Sequence, residues 1–219
     1  MVPPKNMTAE RPQPRLYLVT PVAADIAQLK LDLLAALDSA DIAAVLLRLP
    51  DEDDRSLINR VKALAPTVQR AEAALILDGH PAIVARGGAD GAHLRSITEF
   101  EEVVDALQPD RIAGAGGLGT RHDAMIAAER GADYVMFGEP DGTGERPALP
   151  AVAERVSWWA DVFEAPCVAY AGALDEIAAL SEAGADFVAI GDFVFADPRG
   201  VAAAVTDAAS RLKAREVAT

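Results

Sequence analysis

The sequence predicts a single-domain (β/α)8 barrel, and three observations carry that prediction. A motif of helix end, Gly-Ala-Asp, short apolar strand and polar loop occurs at residues 129–142 (ERGADYVMFGEPDG), 87–95 (GGADGAHLR) and 183–192 (AGADFVAIGD), with a weaker copy at 39–48 (SADIAAVLLR). Strand and helix patterns alternate along the whole chain, and right-handed crossovers repeated eight times close a sheet into a barrel. No Gly-x-Gly-x-x-Gly follows the first strand, which argues against the alternative of an open doubly wound sheet.

The elements follow in order. Residues 16–20 (LYLVT) make the first strand, closed by Pro21, and Ile26, Leu29, Leu33 and Leu37 give residues 25–37 one apolar helical face. Residues 42–48 (IAAVLLR) read as a strand buried on both faces. An acidic loop at 51–54 leads to a helix over 55–64, and residues 73–78 form the third strand. A short helix from Pro81 precedes strand four at 91–94. The fourth helix spans 98–107, with Thr98 as its cap and Glu101 as the capping-box partner. Strand five, 111–115, enters the loop GGLGT, and helix five spans 122–130.

Strand six is 134–137, followed by a Gly- and Pro-rich loop at 139–149 and a helix at 151–163. Trp158 and Trp159 in that helix project about 100° apart, so one belongs to the core and the other to a subunit contact, which implies a homo-oligomer. Strand seven (167–170), helix seven (174–183), strand eight (187–190) and a helix at 200–214 complete the barrel, taken as residues 15–215. Residues 1–14 hold four prolines and no apolar core segment, and read as a flexible tail rather than a signal peptide.

Composition narrows the function. The 219 residues are 51% hydrophobic, enough for one substantial core. A net charge of −14 leaves no basic stripe for nucleic acid and repels anionic membranes. No apolar run reaches the roughly 18–20 residues of a membrane span. The lone Cys167 has no disulfide partner within the chain and fits a reducing cytoplasm. The expected partner is a small phosphorylated metabolite, held by local backbone amides and a few arginines.

Barrel chemistry sits at the C-terminal ends of the strands. The residues there are Arg48, Asp78, His93, Arg95, the loop 116–120, the loop 139–146, Gly172, and Gly191 with Asp192. The sequences around Gly172 and Gly191 have the shape of a phosphate pocket, where glycines let N–H groups approach an anion, although glycine at a strand end is also ordinary turn chemistry. His93 reads as a packed or hydrogen-bonded histidine. Glu139 is a carboxyl group placed for acid/base work, or a loop residue paired with Arg146.

LYLVT, the GADG-x-HL element, GADYVMFG and GADFVAIGDFVF, in this order and spacing over residues 16–195, resemble thiamine phosphate synthases and the related thiazole tautomerases. The resemblance implies a (β/α)8 barrel, Mg²⁺ on an aminopyrimidine diphosphate, and displacement of pyrophosphate by a thiazole phosphate through a stabilised cation. It assigns Arg48 a catalytic role and Asp78 the metal, and Glu139, a second catalytic candidate, stands where tautomerases carry a histidine. Thr143, Gly172, Gly191 and Asp192 fall at its substrate- and phosphate-binding positions, and Arg95 and Arg146 join them because guanidinium groups pair bidentately with phosphate. The synthases' Gln-Leu-Arg-x-Lys run reads LLRLP here, keeping only Arg48. Their second metal aspartate is replaced within the run Arg95, Ser96, Ile97, Thr98, and their Thr-x-Thr-Lys clamp reads Thr143, Gly144, Glu145, Arg146. Asp192 stands for a serine, so its charge either opposes a bound phosphate or caps the segment after strand eight. Two alternatives stand beside the synthase: a metal-independent tautomerase-like isomerase using Glu139, and a catalytically silent phosphometabolite-binding barrel.

Overall fold

The computed structural model describes residues 13–212. Most of the expected N-terminal tail and the last residues of the expected barrel range lie outside them. Eight strands, β1 (Arg15–Val19), β2 (Ile42–Leu47), β3 (Ala74–Asp78), β4 (Gly91–Leu94), β5 (Ile112–Ala115), β6 (Tyr134–Phe137), β7 (Cys167–Tyr170) and β8 (Phe187–Ile190), pair in sequence order. All pairings are parallel, and β8 returns to β1 with Leu16 opposite Val188, closing the barrel.

The recurring Gly-Ala-Asp has a physical reason. A strand entering a parallel barrel presents backbone N–H groups that need acceptors. Asp90, just before β4, accepts from the Leu75 N–H of β3 at 2.7 Å. Asp133 does the same for Ala113 of β5 at 2.8 Å, and Asp186 for Cys167 of β7 at 2.8 Å. Each aspartate therefore ties the entry of its own strand to the entry of the preceding one. In the weaker copy Asp41 instead holds Arg15 at 2.6 Å.

Around the strands lie α1 (Ile26–Ser39), α2 (Asp54–Gln69), α3 (Val84–Gly87), α4 (Ile97–Leu107), α5 (Arg121–Glu129), α6 (Leu149–Val162), α7 (Ile177–Glu182), α8 (Asp192–Phe195) and α9 (Val201–Ser210). Asp25 and Asp53 cap α1 and α2 by accepting from the N–H groups two and three residues on. The second helix runs past the expected Leu64 because its apolar face continues through Val68, across Pro66. The fourth helix is capped by Ser96, which accepts from the Glu99 N–H, and not by Thr98. Thr120 and Asp123 form a reciprocal capping box on α5. The short α8 lies within a stretch with no helix in the sequence reading.

Strand side chains alternate between two compartments. Leu16, Leu18, Val45, Leu47, Leu75 and Leu77 face the helices, while Tyr17, Val19, Leu46, Ile76, Tyr134 and Met136 fill the barrel. This alternation positions the site: continuing the inward parity of β2, β3 and β4 past their apolar residues gives Arg48, Asp78, and His93 followed by Arg95.

The two tryptophans divide as the helical angle requires. Trp159 is fully buried, stacks on Phe163 at 4.1 Å between ring centroids, and donates from Nε1 to the Ala165 carbonyl at 2.7 Å. Trp158 is half-buried, and the Arg121 guanidinium lies 4.7 Å over its ring. Truncating a large buried aromatic ring costs about 3–5 kcal/mol. We therefore expect Trp159→Ala to lose that much in urea unfolding and Trp158→Ala to lose less; the reverse order would contradict this packing.

Candidate active site

A cavity of about 600 Å³ opens at the C-terminal end of the barrel. Val19, Leu46 and Met136 give it an apolar floor, and Arg48, Asp78, His93, Arg95, Glu139 and Asp192 line its walls. Two networks organise these groups.

The first is centred on Asp78, whose side chain is 14% exposed. One of its oxygens accepts from Arg95 Nε at 2.8 Å, and its backbone carbonyl accepts from Arg95 Nη2 at 3.0 Å. Its other oxygen faces Arg48 Nε at 3.8 Å. Arg48 also reaches Asp192 with Nη1 at 3.4 Å, while its backbone N–H donates to Thr20 Oγ1 at 3.1 Å. The hydrogen bond to Asp78 holds the Arg95 guanidinium firmly protonated, above its already high ordinary value.

The second network runs into the barrel. His93, buried at the end of β4, has Nε2 3.0 Å from Glu139 Oε2 and Nδ1 3.0 Å from the Tyr134 hydroxyl. Tyr134 in turn meets the Tyr17 hydroxyl at 2.8 Å. Glu139 also accepts from the Gly117 N–H. Gly138, at φ +85°, turns the chain after β6 so that Glu139 reaches this position. Gly116 is required for space: a Cβ there would lie 2.2 Å from His93 Nε2 and 2.3 Å from Glu139 Oε1.

Burial opposes a charged His93, but the charge and hydrogen bond of Glu139, followed by the charge of Asp78, outweigh it, and the ring titrates above its ordinary value. Burial pushes the Tyr17 and Tyr134 phenols up, so both stay neutral donors and acceptors.

Arg146, Gly172, Thr143 and Gly191 do not line that cavity. Arg146 does not pair with Glu139. It donates from Nη1 to Glu176 at 2.8 Å and from Nη2 to the Tyr170 carbonyl at 2.9 Å, beside a smaller cavity of about 360 Å³. Glu176 also accepts from the Gly172 N–H at 2.8 Å, and Gly172 leaves the room that the Arg146 guanidinium fills. Thr143 turns into its own loop, with both N–H and hydroxyl on Asp141 at 2.8 and 2.7 Å. Gly191 packs against the Tyr170 hydroxyl. Asp192 forms no cap on α8; it is the first residue of that helix and points to Arg48. Sequence reasoning missed Tyr17, Tyr134 and Glu176. For the two tyrosines, the inward parity of β1 and β6 was the available signal.

Mg²⁺ is the group that the resemblance implies. It binds through one or two carboxylates together with phosphates and water. Both oxygens of Asp78 face guanidinium groups, and Glu99 accepts from the Arg95 N–H at 2.8 Å. The residues present do not fit a resident Mg²⁺.

Because the folded-state pKa of His93 lies above its unfolded value, its protonated form adds stability that is complete below about 6.5 and is lost as pH rises through the folded value. The thermal midpoint of the wild type should therefore exceed that of His93→Gln by more at ~pH 6 than at ~pH 9. A gap that widens with pH would contradict the His93–Glu139 pairing.

With this geometry in place, similarity to known proteins becomes informative. The thiamine monophosphate synthase family model matches residues 16–193. A thiamine-phosphate synthase of Rhodospirillum centenum is 44% identical over 197 residues, covering 88% of this chain and 95% of that protein. One of Hyphomonas neptunium is 36% identical over 204 residues, covering 89% and 92%. The solved thiamine phosphate pyrophosphorylase from Pyrococcus furiosus shares the fold, with a TM-score of 0.73 at 21% identity over 90% of this chain and 94% of that one. The chain belongs to the thiamine monophosphate synthase family.

Proposed function

We propose that this protein joins an aminopyrimidine diphosphate to a thiazole phosphate and releases pyrophosphate. The observation that carries this within the family is the pairing of two guanidinium groups, Arg48 and Arg95, with an apolar floor in one cavity of about 600 Å³. In the reaction, the bond between the pyrimidine methylene carbon and the diphosphate oxygen breaks, and the electron pair leaves with pyrophosphate. The thiazole ring nitrogen then supplies the pair for the new C–N bond. No proton is transferred in either step. The protein's task is to collect the reactants and stabilise the charge that builds on the leaving group.

Guanidinium groups suit that task because they pair bidentately with phosphate oxygens. Val19, Leu46 and Met136 offer the flat pyrimidine a surface without competing hydrogen-bond donors. A cytoplasmic setting and assembly into a homo-oligomer belong to the same reading, with the half-buried Trp158 as the contact residue.

A second reading has one specific observation in its favour. Glu139, held by His93 and the Gly117 N–H, is an oriented carboxylate facing the cavity, the equipment of a proton-transferring isomerase. The two readings part on substitution. If the synthase reading holds, Arg48→Ala lowers kcat/KM for pyrophosphate release by about 10²–10³, and Glu139→Gln keeps most of the activity. No pyrophosphate release from the wild-type protein with both substrates, alongside an isomerase activity abolished in Glu139→Gln, would reverse the assignment.

A further inference from the structure

Resting on the synthase reading, we propose that Asp78 is a positioning residue for a two-arginine diphosphate clamp, Arg48 and Arg95, and that diphosphate is held without a protein-bound divalent cation. Four observations lead there.

Asp78 fixes Arg95 at two points, its carboxylate on Nε and its carbonyl on Nη2. That geometry leaves Arg95 Nη1 with no hydrogen-bond partner among the described residues, although the side chain is 59% exposed at the cavity wall. The second oxygen of Asp78 attracts Arg48 from the other side. A dication on this carboxylate would have to stand against the two guanidinium groups that already face its oxygens.

Two backbone donors of the neighbouring loops are already engaged. The Gly117 N–H donates to Glu139, and the Gly172 N–H donates to Glu176, which Arg146 neutralises. Among the described residues lining the larger cavity, Arg48 and Arg95 are the Arg or Lys side chains available to an incoming diphosphate.

The sequence turn after β4 accounts for the exchange. Continuing the inward parity of that strand beyond His93 sets Arg95 at the wall beside Asp78. Ser96 then caps α4, which carries Thr98 away on the helix, and Glu99 folds back onto the Arg95 N–H. The segment supplies a cation beside Asp78 and no second carboxylate.

The test is calorimetry of inorganic pyrophosphate on the full chain, in EDTA and in excess Mg²⁺, for wild type, Arg95→Gln and Asp78→Asn, with folding checked by thermal melting. The expected result is binding in EDTA that Mg²⁺ changes by less than about threefold. Arg95→Gln should weaken it at least about tenfold. Asp78→Asn takes away the charge that draws Arg95 and Arg48 to one place, so binding in EDTA should weaken at least about threefold with the Mg²⁺ response unchanged, and equal or tighter binding would overturn the positioning role. Tightening by Mg²⁺ of about tenfold or more that disappears in Asp78→Asn would overturn the inference and restore Asp78 as a metal ligand. Unchanged binding in Arg95→Gln would overturn it as well. In both cases pyrophosphate release from the two substrates leaves the synthase reading intact. Failure of wild type to bind pyrophosphate in either buffer, with no release activity, overturns both.

Discussion

The site depends on one carboxylate between two guanidinium groups. Asp78 ends a buried strand with little solvent around it, and an unpaired carboxylate there would be costly. Arg95 hydrogen-bonds it and Arg48 faces its other oxygen at 3.8 Å, contacts that bias both guanidinium groups toward the cavity. The arrangement makes a preorganised pair of cations out of residues that on an open surface would wave in water. An anion arriving at the barrel mouth meets donors already oriented, so less of the binding free energy goes into ordering them.

The barrel makes this arrangement inexpensive to build. Strand alternation delivers Arg48, Asp78, His93 and Arg95 to one compartment with no special loop geometry. The same alternation puts Tyr17 and Tyr134 directly beneath, where their hydroxyls and His93 form a continuous chain of hydrogen bonds running from the barrel interior to Glu139. Small residues leave the room: Gly114 lies where a Cβ would strike the Tyr134 ring, and Gly116 where one would strike His93. Below, the aspartates of the Gly-Ala-Asp motifs tie strand entries together, so the frame that holds the site is fixed at the end opposite to it.

Much of this was legible in the sequence. The repeated motif marks the four even-numbered strands and short apolar runs mark the others, and the loops after them named Arg48, Asp78, Arg95, Glu139 and Asp192, which the structure gathers in one cavity. What sequence spacing did not reveal was pairing across the barrel. Glu139 meets a histidine 46 residues before it, and Arg146 meets a glutamate 30 residues after it. Neither separation leaves a local trace. The misplaced cap on α4 is a different matter: Ser96 and Thr98 are both good N-cap residues with an acidic residue three positions on. The choice between them rests on where β4 ends.

The most direct measurement is a crystal structure of the protein with pyrophosphate, grown in EDTA. If the two-arginine clamp is right, phosphate oxygens lie within hydrogen-bond distance of both Arg48 and Arg95, and Asp78 still accepts from Arg95. Pyrophosphate seated instead on the loops after β7 and β8, with Glu176 displaced from the Gly172 N–H and both arginines unengaged, would contradict the account.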